Sequence, residues 1–362
     1  MMGEIAPSLG IHVTVLAETL DDAAVATCDE VVLGSPKDPL ALERLARLVE
    51  VVTFDHELVD LAHLRTLEDS GVVVRPSAHA LSFAVDKAHQ RQAFRDAQIP
   101  VPRFLVVSSA HDQRIEPFLE ELTGPPVLKA ARGGYDGRGV LFPSTRDETL
   151  SLISEMTTLG QVVIEERLAL HGEVAQLIAR SVDGQMSIYP LVTTVQANGM
   201  CIEVDFPALA TNELNERAHE LGEQIASLIG AVGVLAVEFF IAPEGLVVNE
   251  VALRPHNSGH WTIEGTRTSQ FANHLLCVCG EEPGDVTTLA SCAVMVNVVG
   301  SEQPGSFVDA QAVEGAYVHD YGKSWRPDRK LGHVTVLGDN RESAHVRAWE
   351  SAIAYGTRTR EV

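Results

Sequence analysis

Residues 127–140 read VLKAARGGYDGRGV, an apolar strand that carries Lys129 and runs into a loop with four glycines in seven residues. Glycines let backbone N–H groups turn inward and approach a bound phosphate closely. Lys129 and Arg138 place a positive charge at each end of the loop. The segment is neither a Walker loop nor a GxGxxG turn that opens a helix. We interpret it as a lid over a phosphate group, with a flexible surface hairpin as the alternative. Its glycines are Gly133, Gly134, Gly137 and Gly139.

Two carboxylates occupy facing strands of a predicted hairpin. The strands read VLAVEFFIA (234–242) and GLVVNEVAL (245–253), and they carry Glu238 and Glu250, with Asn249 beside the second. Burying these carboxylates would be costly unless they were paired or bound a cation. Oxygen ligands on a rigid hairpin suit Mg²⁺, and Mn²⁺ is a possible substitute. The alternative is that each glutamate lies on a solvent-exposed face.

A tract dense in hydrogen-bonding groups follows the second carboxylate strand. Residues 254–261 read RPHNSGHW, with Arg254, His256 and Asn257 at its start. One histidine in isolation would be structural, but this cluster lies beside the predicted metal ligands. Such groups suit an anionic intermediate, so we predict a catalytic role for the tract.

The composition excludes several classes of protein. The 362 residues include 27 Lys and Arg against 50 Asp and Glu, a formal net charge of −23. A surface this acidic repels nucleic acids and anionic lipids. No apolar run approaches the roughly 18 residues of a membrane span. Residues 1–9 lack the pattern of a secretory signal, and the five cysteines are too sparse for a disulfide framework. We therefore expect a cytoplasmic protein.

The chain divides into three parts, which we place at residues 1–85, 86–290 and 291–362. The first alternates strands and helices, the pattern of a parallel sheet. Its expected strands are 12–18, 30–34, 49–55 and 71–76, and its expected helices are 39–48 and 58–71. The second begins with a helix from Asp86 and continues into antiparallel strands over 172–206, marked by DG and NG turns. A long amphipathic helix (212–230) precedes the carboxylate hairpin. The third contains a strand at 291–300 and the basic patch KSWRPDRK (323–330).

These motifs, taken in order, resemble the ATP-grasp superfamily. With the VVIEE segment (162–166) and the tract RPHNSGHWTIEG, they resemble more specifically the N5-carboxyaminoimidazole ribonucleotide synthetases of purine biosynthesis. The resemblance implies three units: a Rossmann-like parallel α/β domain before the ATP-grasp fold, an ATP-grasp domain with a lid subdomain at about 86–164, and a small β-rich C-terminal domain. It further implies a homodimer that acts on small molecules. ATP, bicarbonate and 5-aminoimidazole ribonucleotide would give the N5-carboxylated product, ADP and phosphate through carboxyphosphate.

The resemblance also implies roles for individual residues. Lys87 and Lys129 would reach the ATP phosphates beneath the loop from Gly134 to Val140. Glu165, Glu166 and Leu168 would line the adenine site largely through backbone groups, and Glu173 would accept from the ribose hydroxyls. Further contacts to the nucleotide would come from Arg167, Gln196 and Asn249. Mg²⁺ would bind Glu238 and Glu250, and bicarbonate and carboxyphosphate would bind Arg254, His256 and Asn257. The aminoimidazole ribonucleotide would face Tyr135, Asp136 and Arg138, with its phosphate on Lys323, Arg329 and Lys330. Gly137 and Gly139 belong to the loop from Gly134 to Val140 that would cover the ATP phosphates.

Three departures from the family pattern accompany this resemblance. Residues 193–196 read TTVQ where the family usually has an Asn and a His, so Gln196 is expected to make a weaker nucleotide contact. Leu253 stands where proline is common. The family opens with a strand and a glycine-rich loop, whereas this sequence starts inside the following helix. We therefore expect the N-terminal sheet to lack its first strand.

Two other functions remain open on these residues. One is a different ATP-grasp ligase, such as a formate-using glycinamide ribonucleotide transformylase or a biotin carboxylase. The other is a protein that binds ATP without turnover. The HNSGHWT tract together with KSWRPDRK favours the carboxyligase over the other ligases.

Overall fold

A parallel pair of short strands forms the start of the chain, in a computed structural model that describes residues 1–133 and 139–358. Strand β1 (Thr14–Ala17) pairs in parallel with β2 (Glu30–Leu33). The helices of this part are α1 (Met2–Ile5), α2 (Pro39–Ala46), α3 (Leu61–Asp69) and α4 (Ala78–Val85).

The prediction of strands at 49–55 and 71–76 was wrong. These two segments instead meet in one parallel bridge between Val52 and Val74. The amide of Val52 donates to the carbonyl of Val73 at 2.9 Å, and the amide of Arg75 donates to the carbonyl of Val52 at 2.9 Å. Both bridge residues are buried. An apolar run in a sequence indicates burial, but it does not indicate how long a hydrogen-bonded ladder will be. Within the described residues no ladder joins this bridge to β1 and β2, so the expected single sheet is divided.

A four-stranded antiparallel sheet carries the glycine-rich segment. Its strands are β3 (Phe104–Val107), β4 (Val127–Ala130), β5 (Val140–Leu141) and β6 (Val162–Glu165), in the order β3-β6-β4-β5. Helices α5 (Lys87–Asp96), α6 (Ile115–Glu120) and α7 (Arg146–Thr157) accompany it. Asp86 caps α5 by accepting from the amide of His89, which directs Lys87 to the first turn of the helix.

A nine-stranded sheet spans the rest of the chain. Its order is β12-β11-β7-β9-β10-β13-β15-β14, and β8 pairs with β7. The strands before the carboxylate hairpin are β7 (Gly172–Arg180), β8 (Met186–Ile188), β9 (Val192–Ala197) and β10 (Met200–Phe206). The hairpin is β11 (Gly233–Ala242) and β12 (Gly245–Ala252). The last strands are β13 (Cys292–Val299), β14 (Ala316–Asp320) and β15 (Lys330–Gly338).

Because β10 pairs with β13, the second and third parts of the chain share this sheet. The domain boundaries at 85/86 and 290/291 stay predictions.

The helices that accompany the nine-stranded sheet are α8 (Asn212–Ile229), α9 (Thr262–Gly265), α10 (Gln270–Cys279), α11 (Phe307–Gln311) and α12 (Arg341–Tyr355).

Helix α8 illustrates why the local sequence folds as it does. Thr211 caps its start by accepting from the amide of Leu214, and Gly230 ends it in the left-handed region with φ 66°. Leu221, Ile225 and Ile229 follow at four-residue spacing and are buried in the largest apolar core. Each such burial stabilises the fold by about 1.5 to 3 kcal/mol. No helix of the described part of the chain is long and apolar enough to cross a membrane.

Candidate active site

A cleft of about 1930 Å³ lies between the four-stranded sheet, the β11–β12 hairpin and the N-terminal part of the chain. Most of the residues expected from the sequence meet there. They are Lys87, Lys129, Val140, Glu165, Glu166, Arg167, Leu168, Glu173, Gln196, Glu238, Asn249, Glu250, Arg254, His256, Asn257, Lys323 and Lys330. Gly134, Tyr135, Asp136, Gly137 and Arg138 lie outside the described residues.

A buried ion triad lies beside the cleft, and two of its members, Lys129 and Glu165, line it. Nζ of Lys129 lies 2.7 Å from Oε2 of Glu165, and Nε of Arg91 donates to Oε1 of the same carboxylate at 2.6 Å. Burial raises the pKa of Glu165, but the two cations outweigh it and hold this pKa at about 2. Burial lowers the pKa of Lys129. A second guanidinium nitrogen of Arg91 donates to the backbone carbonyl of Asn249 at 2.7 Å.

Sequence reasoning missed Arg91, although a signal was present. Ala88, Arg91 and Phe94 recur at three-residue spacing on the buried face of α5. A charged residue on an apolar stripe requires a buried partner of opposite charge. That partner, Glu165, was expected at the adenine site mainly through its backbone. The structure adds a side chain that orients Lys129.

The glycine-rich segment begins and ends on glycines in the left-handed region. Gly133 has φ 78° and Gly139 has φ 76°, values that L side chains rarely adopt. The carbonyl of Gly139 accepts from the amide of Ala130 at 2.8 Å, which closes the two ends of the loop. At its first end, Asp86 accepts from Nε of Arg132 at 2.9 Å.

The two predicted metal ligands face each other directly. Glu238 on β11 pairs with Glu250 on β12, and Glu173 lies on the neighbouring strand β7. Burial, together with the neighbouring charges of Glu250 and Glu173, raises the pKa of Glu238 to about 8. Burial and then Glu250 also raise the pKa of Glu173. A divalent cation would relieve this repulsion, so the donor set fits Mg²⁺.

The number of protein ligands is also in keeping with that ion. No group of three or more His, Cys, Asp or Glu among the described residues is arranged to hold a metal. Mg²⁺ usually binds one or two carboxylates and completes its shell with water and substrate phosphates. The facing pair Glu238 and Glu250 matches this arrangement.

Arg254 is held by a residue that the sequence did not single out. Nε of Arg254 donates to Oε2 of Glu57 at 2.7 Å, and the amide of Leu253 donates to the other carboxylate oxygen at 3.2 Å. Glu57 comes from the N-terminal part of the chain and lines the cleft. This pair therefore connects the N-terminal part to the start of the polar tract.

His256 lies between the predicted metal ligand Glu238 and the hydroxyl of Ser258 in its own loop. Its Nε2 is 3.6 Å from Oε1 of Glu238, and its Nδ1 is 2.9 Å from Oγ of Ser258. Burial lowers the pKa of His256, and Arg254 lowers it further. Fully buried Gln270 accepts from the His256 amide at 2.8 Å and donates to its carbonyl at 2.8 Å. Sequence reasoning did not find this clamp.

The basic patch reaches the cleft with two of its three predicted cations. Lys323 and Lys330 line the cleft, and Nζ of Lys323 lies 5.3 Å from the ring centroid of Tyr321. Arg329 is not among the described lining residues. Its guanidinium instead donates to the hydroxyl of Ser324 at 2.9 Å, within the same loop. Gly139 is likewise not among the described residues that line the cleft.

Comparisons with known proteins agree with this geometry. Residues 92–271 match the ATP-grasp domain, residues 293–347 the phosphoribosylaminoimidazole carboxylase C-terminal domain, and residues 1–85 the ribonucleotide synthetase preATP-grasp domain. The N5-carboxyaminoimidazole ribonucleotide synthase of Mycobacterium tuberculosis is 42% identical over 350 residues, covering 94% of this chain and 81% of that protein. The chain belongs to this family.

Two solved structures support the membership. N5-carboxyaminoimidazole ribonucleotide synthetase from Thermus thermophilus has a TM-score of 0.90 at 32% identity, covering 100% of this chain and 97% of that one. The Aspergillus clavatus synthase, solved with ADP and 5-aminoimidazole ribonucleotide, has a TM-score of 0.88 at 27% identity, covering 98% and 95%. The family resemblance and the three-part fold class expected from the sequence are confirmed.

Proposed function

We propose that this protein uses ATP to carboxylate 5-aminoimidazole ribonucleotide with bicarbonate, giving N5-carboxyaminoimidazole ribonucleotide, ADP and phosphate. The observation that carries the proposal is one cleft lined by buried Lys129, the facing pair Glu238 and Glu250, the polar tract and the Lys323 patch. Family membership supports the same reaction.

The first step transfers the γ-phosphoryl group of ATP to bicarbonate. A bicarbonate oxygen attacks phosphorus, the bond to the ADP oxygen breaks, and carboxyphosphate forms. Lys87 and Lys129 hold the phosphates, while Arg254, His256 and Asn257 hold the bicarbonate. Glu238 and Glu250 would hold Mg²⁺, or Mn²⁺ in its place, and the bound ion would neutralise negative charge on the phosphate oxygens. Phosphoryl transfer depends mainly on such positioning and charge, which suits a site without a protein nucleophile.

The second step transfers carbon dioxide to the ribonucleotide. The carbon–oxygen bond of carboxyphosphate breaks and releases carbon dioxide and phosphate. The exocyclic amine attacks the carbon and gives its proton to phosphate. Tyr135, Asp136 and Arg138 are proposed to contact the ribonucleotide, and its phosphate is proposed to bind Lys323 and Lys330. Arg329 is proposed to support this patch through Ser324.

Adenosine binding is proposed at the edge of the four-stranded sheet. Glu166, Arg167 and Leu168 follow β6 and line the cleft, which supports the proposal that their backbone groups contact adenine. Arg167 also stacks over the ring of Phe142, with its guanidinium carbon 5.5 Å from the ring centroid. Glu173 and Gln196 on neighbouring strands are proposed to contact the ribose.

A substrate-omission assay tests the proposal. ADP release should require both bicarbonate and 5-aminoimidazole ribonucleotide, and bicarbonate carbon should appear in the ribonucleotide. Turnover with formate and glycinamide ribonucleotide, or with biotin, would replace the proposed reaction by another ATP-grasp ligase. ATP binding without turnover on any of these substrates would favour the binding protein.

The assembly and the cellular location extend the proposal. We infer a homodimer, which the family resemblance supports and sedimentation equilibrium tests by mass. We infer a cytoplasmic protein, because all five cysteines are free thiols and disulfides are rare where thiols are kept reduced.

A further inference from the structure

Asn297 on β13 exchanges two hydrogen bonds with the cleft residue Asn257. Nδ2 of Asn257 donates to Oδ1 of Asn297 at 2.8 Å, and Nδ2 of Asn297 donates to Oδ1 of Asn257 at 2.6 Å. Asn297 is 1% exposed and is not among the described residues that line the cleft. One buried carboxamide therefore holds both polar atoms of the Asn257 side chain.

A third hydrogen bond determines which way both amides face. Nδ2 of Asn297 also donates to the backbone carbonyl of Cys201 at 2.9 Å. A carbonyl can only accept, so the nitrogen of Asn297 must face it. The oxygen of Asn297 then faces the nitrogen of Asn257. The orientation of Asn257 thus follows from the main chain of β10 through Asn297.

The composition of β13 indicates that this amide is retained for more than packing. The strand reads CAVMVNVV, and every position in it is buried. A carboxamide in such a strand costs free energy unless its atoms are hydrogen-bonded. All its donors and its acceptor are committed to Asn257 and Cys201.

We propose that Asn297 is a positioning residue that keeps an N–H group of Asn257 available to the anion in the cleft. The inference rests on the proposed function, in which Asn257 binds bicarbonate and carboxyphosphate. Asn257 has two amide hydrogens, and Asn297 takes one of them. The second can donate to an anionic oxygen. In the opposite orientation the Asn257 oxygen would replace it and would repel the anion.

Double-variant kinetics with Asn297→Ala, Asn257→Ala and the pair tests this proposal. Asn297→Ala should raise the KM for bicarbonate about tenfold, which corresponds to about 1.4 kcal/mol, because Asn257 would no longer be held with an N–H group toward the charged oxygen. The KM for ATP should change by less than about twofold. In the Asn257→Ala background, the Asn297 substitution should have little further effect on the KM for bicarbonate. Asn297→Asp keeps the side-chain shape but loses both hydrogen bonds that Asn297 donates, so it should also raise the KM for bicarbonate. It serves as a second variant in case Asn297→Ala does not fold.

Asn273→Ala is the matched control. Asn273 is also fully buried, donates to the hydroxyl of Tyr189 at 2.7 Å and accepts from the amide of Gly284 at 2.6 Å, and it is not among the described residues that line the cleft. Its loss should lower the melting temperature without changing the KM for bicarbonate.

Two results would overturn the positioning role: Asn297 variants that behave like the control, or effects of Asn297 and Asn257 that simply add. Both results require a parent enzyme that consumes bicarbonate. If the parent releases no ADP with bicarbonate and 5-aminoimidazole ribonucleotide, the proposed function fails first and the role of Asn297 fails with it.

Discussion

Lys129 and Glu165 form a 2.7 Å ion pair between neighbouring strands β4 and β6. The side chains are 8% and 2% exposed, and Arg91, with no exposed surface, binds the other carboxylate oxygen. Two buried cations thus depend on one anion. The lysine proposed to hold the ATP phosphates is oriented by residues from two other elements.

Glu165→Gln should therefore destabilise the protein strongly. Removing one partner of a buried ion pair typically costs about 3 to 5 kcal/mol, because an uncompensated charge remains. Urea unfolding measures the change. Glu121→Gln is the control, since Glu121 binds Arg103 at the same 2.7 Å with 68% and 48% exposure. That change should cost less than about 1 kcal/mol. Equal losses for the two variants would contradict the structural role of the triad.

Glu238→Gln and Glu250→Gln should each lower turnover by orders of magnitude with the fold intact, because each removes a ligand charge from the metal. The amount of Mn²⁺ bound in the presence of ADP, followed by electron paramagnetic resonance, should fall in parallel. Glu244→Gln, in the exposed turn of the same hairpin, is the control. Rates within threefold of the parent for both cleft variants would refute the metal assignment.

Lys323→Ala should raise the KM for 5-aminoimidazole ribonucleotide far more than the KM for ATP. A charge-assisted contact to phosphate is worth roughly 1.5 to 3 kcal/mol, or about ten- to a hundredfold in KM. Arg326→Ala is a control in the same loop, since Arg326 is exposed and does not line the described cleft. A change in the KM for ATP alone would assign the patch to the nucleotide.

Asp205→Asn should change the pH dependence of stability. Burial and then the neighbouring Glu203 raise the pKa of Asp205 from 3.8 to about 6. Between about pH 4 and 6 the unfolded chain has lost this proton while the native state retains it, so stability falls as pH rises. The asparagine side chain does not titrate, so the variant does not lose stability in this way. It should be more stable than the parent at pH 7 by roughly 1 to 3 kcal/mol.

Urea unfolding at pH 4, 6 and 8 measures the effect of Asp205→Asn. Asp183→Asn, at an exposed turn, is the control and should leave the curve unchanged. Between pH 4 and 6 the parent should lose more stability than the Asp205→Asn variant. Equal losses would show that the Asp205 carboxyl titrates normally.

The predictions that the structure confirms rest on short-range patterns. The carboxylate hairpin follows from two apolar strands with only residues 243–244 between them, and α8 follows from its four-residue apolar spacing. The N-terminal strands show the limit of such patterns. Apolar runs at 12–18 and 49–55 look alike, yet only the first forms a ladder, because pairing depends on which segment lies alongside.

The sequence by itself determined the family, the order of the parts and most of the residues that meet in the cleft, since glycine, charge and apolar spacing act over a few residues. Only the tertiary structure decided how those residues are oriented. Arg91 and Glu165 are 74 positions apart, Glu57 and Arg254 are 197 apart, and Asn257 and Asn297 are 40 apart. Each pair forms because burial leaves a polar group that must find a partner. Sequence shows that such a group exists, and folding chooses the partner.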